Sequence, residues 1–154
     1  MASLKSDKKF DEASQTAERF MSLIPVDCIV AGSLRRKSPV VGDIDIVSVG
    51  CFPQEVTGAE FISGGDTLRT YLFEDTQINV MVADPEHLGA TLLYATGSGK
   101  WAMLIRLKAK RKGYKLNRYG LFDRETGSLI ASKTESDIFT ALGKRFVSPQ
   151  DRSR

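Results

Sequence analysis

Two hydrophobic periodicities divide the chain at Asp84–Pro85. Before this point, a helical stretch at residues 9–23 precedes short apolar runs that are separated by turn residues such as Gly64-Gly65, which predicts a sheet of four or five strands. After it, helical spacing appears at residues 86–94, 99–112 and 134–142. The sequence therefore predicts an α+β fold: a lobe at 1–84 with a mixed sheet flanked by helices, then a small, mainly helical lobe at 85–154.

Composition limits the classes of protein that need to be considered. With 42% hydrophobic and 27% charged residues in 154, the chain is expected to form a globular fold rather than a disordered one. Cys28 and Cys51 form no C-x-x-C pair and are expected to be buried thiols, not a disulfide or zinc framework. There is neither an N-terminal apolar run nor a stretch of ~18 apolar residues, so we expect no signal peptide or membrane span.

Positive charge is concentrated in residues 100–118. This segment has eight lysines and arginines and no acid, whereas the net charge of the whole chain is only +3, so the rest is acidic. Such a segment is typical either of a solvated helix face or of a surface that binds a phosphate backbone. The apolar residues interleaved with it are expected to form the core of the second lobe: Trp101, Met103, Leu104, Ile105 and Leu107.

Asp43 and Asp45 lie two residues apart on a predicted strand. Their carboxylates therefore share one face and repel each other by ~2.5 kcal/mol, a repulsion that a bound cation of the magnesium type would reverse. Just upstream, Gly32-Ser33 follows another strand and can offer backbone N–H and hydroxyl donors to a phosphate, with Arg35 or Arg36 gripping its oxygens. Each pattern alone is weak, but together they predict a magnesium–nucleotide site.

These residues also carry a family resemblance. Gly32-Ser-Leu-Arg-Arg36 followed by Gly42-Asp-Ile-Asp45 resembles the signature of the nucleotidyltransferase superfamily, and specifically of family X DNA polymerases. Tyr94-Ala-Thr-Gly-Ser98 is similar to the family's Tyr-Phe-Thr-Gly-Ser element, and Pro149-Gln-Asp-Arg-Ser153 to the tail of vertebrate members. Residues 113–122 are most similar to the compact viral members. The resemblance implies a nucleotidyltransferase palm at 1–84 and a nucleotide- and DNA-binding lobe at 85–154.

The resemblance also implies roles for individual residues. The metal ligands would be Asp43 and Asp45, which are catalytic together with Asn79. The nucleotide-binding residues would be Gly32, Ser33, Arg36, Gly42, Tyr94, Thr96 and Gly97. The DNA-binding residues would be Lys100, Arg106, Lys108 and Lys110. The expected cofactor is Mg²⁺, with Mn²⁺ as a substitute. The expected partners are a dNTP and a DNA primer–template or gapped duplex, bound by a monomer without a membrane, in the cytoplasm, nucleus or a viral factory rather than outside the cell.

Asn79 is the main departure from the family pattern, which has a third carboxylate at this strand position. Asparagine offers a neutral oxygen and accepts no proton, so the primer 3′-hydroxyl loses its expected base. The residue implies either a site altered to trap substrates or a natural weak or inactive variant. Asp75, in a turn, and Asp84, which has the wrong strand parity, are poor substitutes. Ala95, where the family has phenylalanine, leaves sugar discrimination open.

The resemblance thus implies a template-directed DNA polymerase that adds a deoxynucleotide to a primer 3′-end, with two metal ions, in short gaps during repair. One alternative is a template-independent nucleotidyltransferase, because the superfamily shares the Gly-Ser and Asp-x-Asp elements. Another is a nucleic-acid-binding module without catalytic activity, in which Asn79 marks the lost activity.

Overall fold

The alternating segments in the first half of the chain form one five-stranded sheet. A computed structural model describes residues 7–152. Its sheet comprises β2 (Cys28–Ala31), β4 (Ile44–Val49), β5 (Glu60–Gly64), β6 (Leu68–Phe73) and β7 (Thr76–Ala83). The spatial order is β2-β4-β7-β6-β5, and only β4 and β7 run parallel to each other. Two further short strands, β1 (Lys8–Lys9) and β3 (Val40–Val41), pair beside it.

The two faces of this sheet are covered by different helices. On one face, Ile44, Ile78 and Tyr71 are fully buried in a cluster that includes α1 (Phe10–Ser22). The ring of Phe20 from α1 lies 5.8 Å from that of Tyr71. On the other face, a smaller cluster joins strand residues to α3 (Leu88–Thr96). Because side chains alternate along β4, the face opposite Ile44 is the one that carries Asp45.

The second half of the chain packs around its own apolar cluster. It contains a 3₁₀ turn (Pro85–His87), α3, α4 (Gly99–Arg111), α5 (Glu135–Ala141) and a second 3₁₀ turn (Pro149–Asp151). It also contains a three-stranded antiparallel sheet of β8 (Tyr114–Asn117), β9 (Gly120–Asp123) and β10 (Leu129–Ala131). These strands have only three or four residues, too few for alternation to distinguish them from loops. The α+β class is confirmed, although this half is less helical than predicted.

Two expectations about burial are wrong. In α4, only one stripe is buried, at Trp101, Ala102, Ile105 and Ala109. The side chains of the opposite stripe are exposed: Met103 (60%), Leu104 (51%) and Leu107 (40%). Cys28 is half-buried and Cys51 is exposed, so the thiols are not both core residues. Burial and the nearby Asp27 carboxylate raise the pKa of the Cys28 thiol to about 11.

Two remaining points concern the chain as a whole. No helix among residues 7–152 is long and apolar enough to cross a membrane. Within the C-terminal tail motif, Arg152 is completely buried, whereas Ser153 lies outside the described residues.

Candidate active site

Three polar side chains lie in one row across the middle of the central sheet. Asp45 on β4 pairs in register with Asn79 on β7, and Asn79 pairs in turn with Thr70 on β6. Asp43 precedes β4 and lies on the same face as Asp45. The parallel β4–β7 pairing therefore brings Asn79 next to the two carboxylates, although it is more than thirty residues away in sequence.

Hydrogen bonds connect this row into a network centred on the Asn79 amide. Its Nδ2 donates to Asp45 Oδ1 at 3.1 Å and to Asp43 Oδ2 at 3.3 Å. Its Oδ1 accepts from Thr70 Oγ1 and from Gln77 Nε2, each at 3.1 Å, and Gln77 Nε2 also donates to Asp43 Oδ2. Amide N–H groups thus lie between the two carboxylates and reduce their mutual repulsion.

Gln77 and Thr70 are site residues that the sequence reasoning missed. Gln77 could have been found, because it lies two residues before Asn79 on the same strand and therefore shares its face. Thr70 carries no such signal, since its proximity depends on the register of β6 against β7. The neighbours of Asn79 are therefore only partly visible in the sequence.

A cleft of about 540 Å³ lies beside the row and collects most of the predicted residues. Those that line it are Gly32, Ser33, Arg36, Gly42, Asp43, Asp45, Tyr94, Gly97 and Arg106. The strand β2 ends at Ala31, and α2 (Gly32–Arg35) begins with Gly32 at φ +58°. A Cβ on Gly32 would lie 2.1 Å from Asp45 Oδ2, so only glycine allows the carboxylate to pack against this backbone.

Of the two adjacent arginines at the end of α2, Arg36 lines the cleft and Arg35 does not. Arg36 donates to the backbone carbonyl of Thr96, while its buried Nε has no hydrogen-bond partner among the described residues. Burial lowers the pKa of the Arg36 guanidinium, and the Asp45 carboxylate partly offsets this effect. Because this half-buried guanidinium lines the cleft, it is suited to binding an anion that enters the cleft.

The structure places five of the predicted residues outside the cleft lining. The side chain of Thr96 is buried and accepts from Arg35 Nη1 at 2.8 Å. Lys100 is the second residue of α4, whereas Lys108 and Lys110 lie in its last turn, and Lys110 lines a separate groove with Arg106. Asn79 lies in a smaller adjoining cavity of about 210 Å³ that also includes Asp45 and Tyr94. Asp45 therefore faces both spaces.

A buried ion triad connects α2 to the C-terminal half. Glu135 at the start of α5 accepts from Arg35 Nη2 at 2.8 Å and from Arg152 Nη1 at 2.7 Å. Arg152 also lies over the ring of Trp101, with its guanidinium carbon 5.3 Å from the ring centroid. Burial alone would raise the pKa of Glu135, but the hydrogen bonds from Arg35 and Arg152 outweigh it and lower that pKa. The triad fixes Arg35, which in turn holds Thr96.

The donor set is sparse for a metal centre. Among residues 7–152, no group of three or more His, Cys, Asp or Glu side chains is arranged to hold a metal ion. Asp43 Oδ1 is nevertheless a buried carboxylate oxygen without a hydrogen-bond partner in this part of the chain. Together with Asp45, it fits a hard divalent cation that completes its oxygen shell with phosphate and water. Asn79 fits as a ligand only if its amide turns so that Oδ1 replaces Nδ2.

The chain is similar in sequence to several known DNA polymerases. The family model of the DNA polymerase beta thumb matches residues 91–153. Repair DNA polymerase X of African swine fever virus (isolate Tick/Malawi/Lil 20-1/1983) is 24% identical over 149 residues, covering 87% of this chain and 86% of the viral protein. The Bacillus subtilis DNA polymerase/3′-5′ exonuclease PolX is 29% identical over 133 residues, covering 79% of this chain and 23% of that protein.

A third relative supports the same grouping. The human DNA-directed DNA/RNA polymerase mu is 33% identical over 91 residues, covering 58% of this chain and 18% of the human protein. The chain therefore spans most of the length of the viral relative and less than a quarter of the Bacillus and human ones. The match to the thumb model and the similarity to these polymerases show that the chain is similar to the DNA polymerases of family X.

Proposed function

We propose that this chain is a DNA-directed DNA polymerase of repair that adds a deoxynucleotide to a primer 3′-end in short gaps. The observation that carries the proposal is the row of Asp45, Asn79 and Thr70 beside a cleft lined by Gly32, Ser33 and Arg36. Relatives named repair DNA polymerase X support the same activity. The predicted division into a palm at 1–84 and a nucleotide- and DNA-binding lobe at 85–154 is part of this proposal.

The residues of the chain have separate tasks in this proposal. Gly32 and Ser33 offer donors to the triphosphate, and Arg36 neutralises part of its charge from the wall of the cleft. Tyr94 and Gly97 border the space for the sugar. Asp43 and Asp45 would hold Mg²⁺, or Mn²⁺ in its place, and the bound metal would stabilise the charge that develops in nucleotidyl transfer.

Asn79 limits the reaction in this proposal. Its position next to Asp45 is where a carboxylate could accept the proton of the primer 3′-hydroxyl, and an amide cannot accept it. The amide also adds no negative charge to the two carboxylates. The chain is therefore expected to bind DNA and nucleotide and to transfer the nucleotide slowly.

Primer extension on a duplex with a short gap tests the function. Each of the four dNTPs is supplied separately with Mg²⁺, and the added nucleotide should follow the template base. Additions that ignore the template, or that occur on a single strand, would favour the template-independent nucleotidyltransferase. Specific binding without extension, even after Asn79→Asp, would favour the binding module.

Nucleotide affinity tests the role of the carboxylates separately from catalysis. Asp45→Ala is expected to weaken binding of a dNTP in Mg²⁺ about tenfold, because one anionic ligand is lost. Glu60→Ala removes the same charge from the exposed start of β5 and should leave the affinity unchanged. Titration calorimetry measures both variants, and equal affinities for the two would remove Asp45 from the site.

The salt dependence of DNA binding tests the basic surface of α4. If Lys108 and Lys110 contact phosphates, Lys108→Ala plus Lys110→Ala should reduce the slope of log K against log salt by up to ~1.8. Lys133→Ala plus Lys144→Ala removes the same charge outside the basic segment and should change the slope little. Fluorescence anisotropy on a gapped duplex measures both slopes. A slope near zero for the unmodified chain would show that the segment is only a solvated face.

A further inference from the structure

Two hairpin turns meet at a second cleft, which shares no lining residue with the candidate active site. One turn connects β5 to β6 and contains Thr67, and the other connects β8 to β9 and consists of Arg118 and Tyr119. The cleft has a volume of about 360 Å³, and His87 and Thr91 contribute to its lining. Its walls thus come from both halves of the chain.

Arg118 is positioned in this cleft by neutral groups. Its Nη2 donates to the Tyr119 hydroxyl at 2.7 Å and, more weakly, to Thr67 Oγ1 at 3.4 Å. Its guanidinium carbon lies 4.9 Å from the centroid of the Tyr119 ring, and the edge-on ring of His87 packs against Tyr119 at 6.1 Å. Thr91 Oγ1 fixes the backbone by donating to the carbonyl of Arg118 at 2.8 Å. No carboxylate of residues 7–152 forms an ion pair with Arg118.

The hydrogen bonds leave donors for an anion. Because the hydroxyls of Thr67 and Tyr119 both accept from Arg118, their own protons remain available to a further acceptor. The remaining N–H groups of the guanidinium add charge-assisted donors. Asp84 also lines the cleft, but its Oδ1 accepts from the Glu86 backbone N–H at 2.9 Å and caps the 3₁₀ turn. The donor set near Arg118 therefore suits a phosphate group.

The distance between this cleft and Asn79 limits which phosphate of a bound DNA strand could lie in the cleft. Thr67 is joined to the same strand as Asn79, since the Val82 N–H donates to the Thr67 carbonyl at 2.8 Å. Along β7, Ala83 at the cleft is four residues from Asn79, a distance of about 13 Å. One strand of a duplex advances about 3.4 Å per nucleotide, so for a DNA strand that runs along β7 this separation would correspond to roughly four nucleotides.

We propose that Arg118, Thr67 and Tyr119 form a binding site for a backbone phosphate of the bound DNA, within about four nucleotides of the reacting end. The proposal rests on the proposed function, because it needs DNA whose 3′-end lies at Asp45 and Asn79. It assigns a role to the last cation of the basic segment, which lies on a turn and not on α4. Since the turn faces Thr67, the bound phosphate would contact both halves of the chain.

Single neutral phosphates in the DNA test this site. Methylphosphonates are placed one at a time at the five phosphates nearest the gap in the primer and in the template strand, and binding to the full chain is measured by anisotropy. With unmodified protein, one of these positions should weaken binding about tenfold. With Arg118→Gln, the methylphosphonate at that position should no longer weaken binding, while the effects at the other positions persist. Thr67→Val and Tyr119→Phe should reduce the same effect in part.

The control and the contrary outcomes are distinct. Arg111→Gln removes the same charge at the end of α4 and should preserve the full methylphosphonate pattern. If Arg118→Gln weakens binding equally at every position, or not at all, the site does not hold a DNA phosphate. In a third outcome, inorganic phosphate raises the melting temperature of the unmodified chain but not of Arg118→Gln, and the effect of no methylphosphonate position depends on Arg118. The cleft then binds free phosphate, and the DNA assignment is wrong. Primer extension is measured separately, with the unmodified chain and with Asn79→Asp. Extension without an Arg118-dependent methylphosphonate effect overturns only this site, and that effect without extension by either form overturns only the polymerase activity.

Discussion

Asn79→Asp is expected to accelerate single-turnover primer extension at least ~100-fold while the affinity for the dNTP stays nearly constant. An aspartate at this position would have Asp45 beside it on β4 and Thr70 on β6, so its carboxylate would lie in the row that the amide now occupies. It would provide an acceptor for the primer hydroxyl proton and a third negative charge. Both contributions act on the hydroxyl that attacks, not on the triphosphate.

The network around Asn79 explains why affinity and rate should separate. Ser33 and Arg36 line the larger cleft, whereas Asn79 lies in the smaller cavity on the other side of Asp45. A change at residue 79 therefore leaves the triphosphate contacts in place. An interaction that is made mainly in the transition state changes the rate of the chemical step and hardly changes ground-state binding.

Gln77→Glu is a matched control for this prediction. It adds a carboxylate to the same strand and face, two residues away, where Gln77 contacts Asp43 and Asn79. If the acceleration depends on position and not only on charge, Gln77→Glu should not reproduce it. Rapid-quench extension of a gapped duplex, with the dNTP titrated, gives the rate and the affinity for each form. Equal rates for the unmodified chain and the Asn79→Asp variant would show that residue 79 does not act on the primer hydroxyl.

The part of the fold that could be predicted is the part with long periodic segments. The helix α1, the five strands of the central sheet and the capped start of α5 at Thr134 all follow from alternation, helical spacing or turn residues. The pairing of the short strands β8 to β10 into a sheet could not be predicted, because three or four residues carry too little periodicity. The exposed stripe of α4 could not be predicted either, because the sequence does not show how much of a helix a small core can cover.

The candidate site likewise contains residues that sequence spacing could group and residues whose contacts depend on the tertiary fold. Asp43, Asp45 and Gly32 are near one another in sequence, so motif spacing was enough to group them. The contacts of Asn79 depend on parallel pairing of β4 with β7, and its assignment needed the family pattern. Neither motif spacing nor the family pattern indicated a role for Glu135, because an acidic residue in the first turn of a helix is ordinarily explained by the helix dipole. Its partners, Arg35 and Arg152, lie 100 and 17 residues away.

Glu135→Ala is the second change with a large expected effect, a loss of ~3–5 kcal/mol in the free energy of unfolding. The variant leaves two guanidinium groups without their carboxylate, and one of them, that of Arg152, is fully buried. Glu86→Ala is the matched control, because Glu86 pairs with Lys133 at 3.4 Å on the exposed surface. Such a surface pair contributes at most ~1 kcal/mol. Urea denaturation of the three proteins measures the difference, and similar losses for both variants would show that the triad contributes no more than a surface pair.

The pH dependence of stability provides an independent check on Glu135. Its pKa is lower in the folded chain than the ordinary value of 4.5, so the folded state favours the ionised carboxylate. This contribution to stability is fully present above about pH 4.5 and is lost as the pH falls toward the lower pKa of the folded state. Glu135→Gln removes the titrating group while keeping hydrogen-bonding atoms, and its stability should fall less steeply below pH 4.5 than that of the unmodified chain. Parallel curves in this range would mean that the two arginines do not hold Glu135 in its ionised form, and the connection from α5 through Arg35 to Thr96 would then lack its charged link.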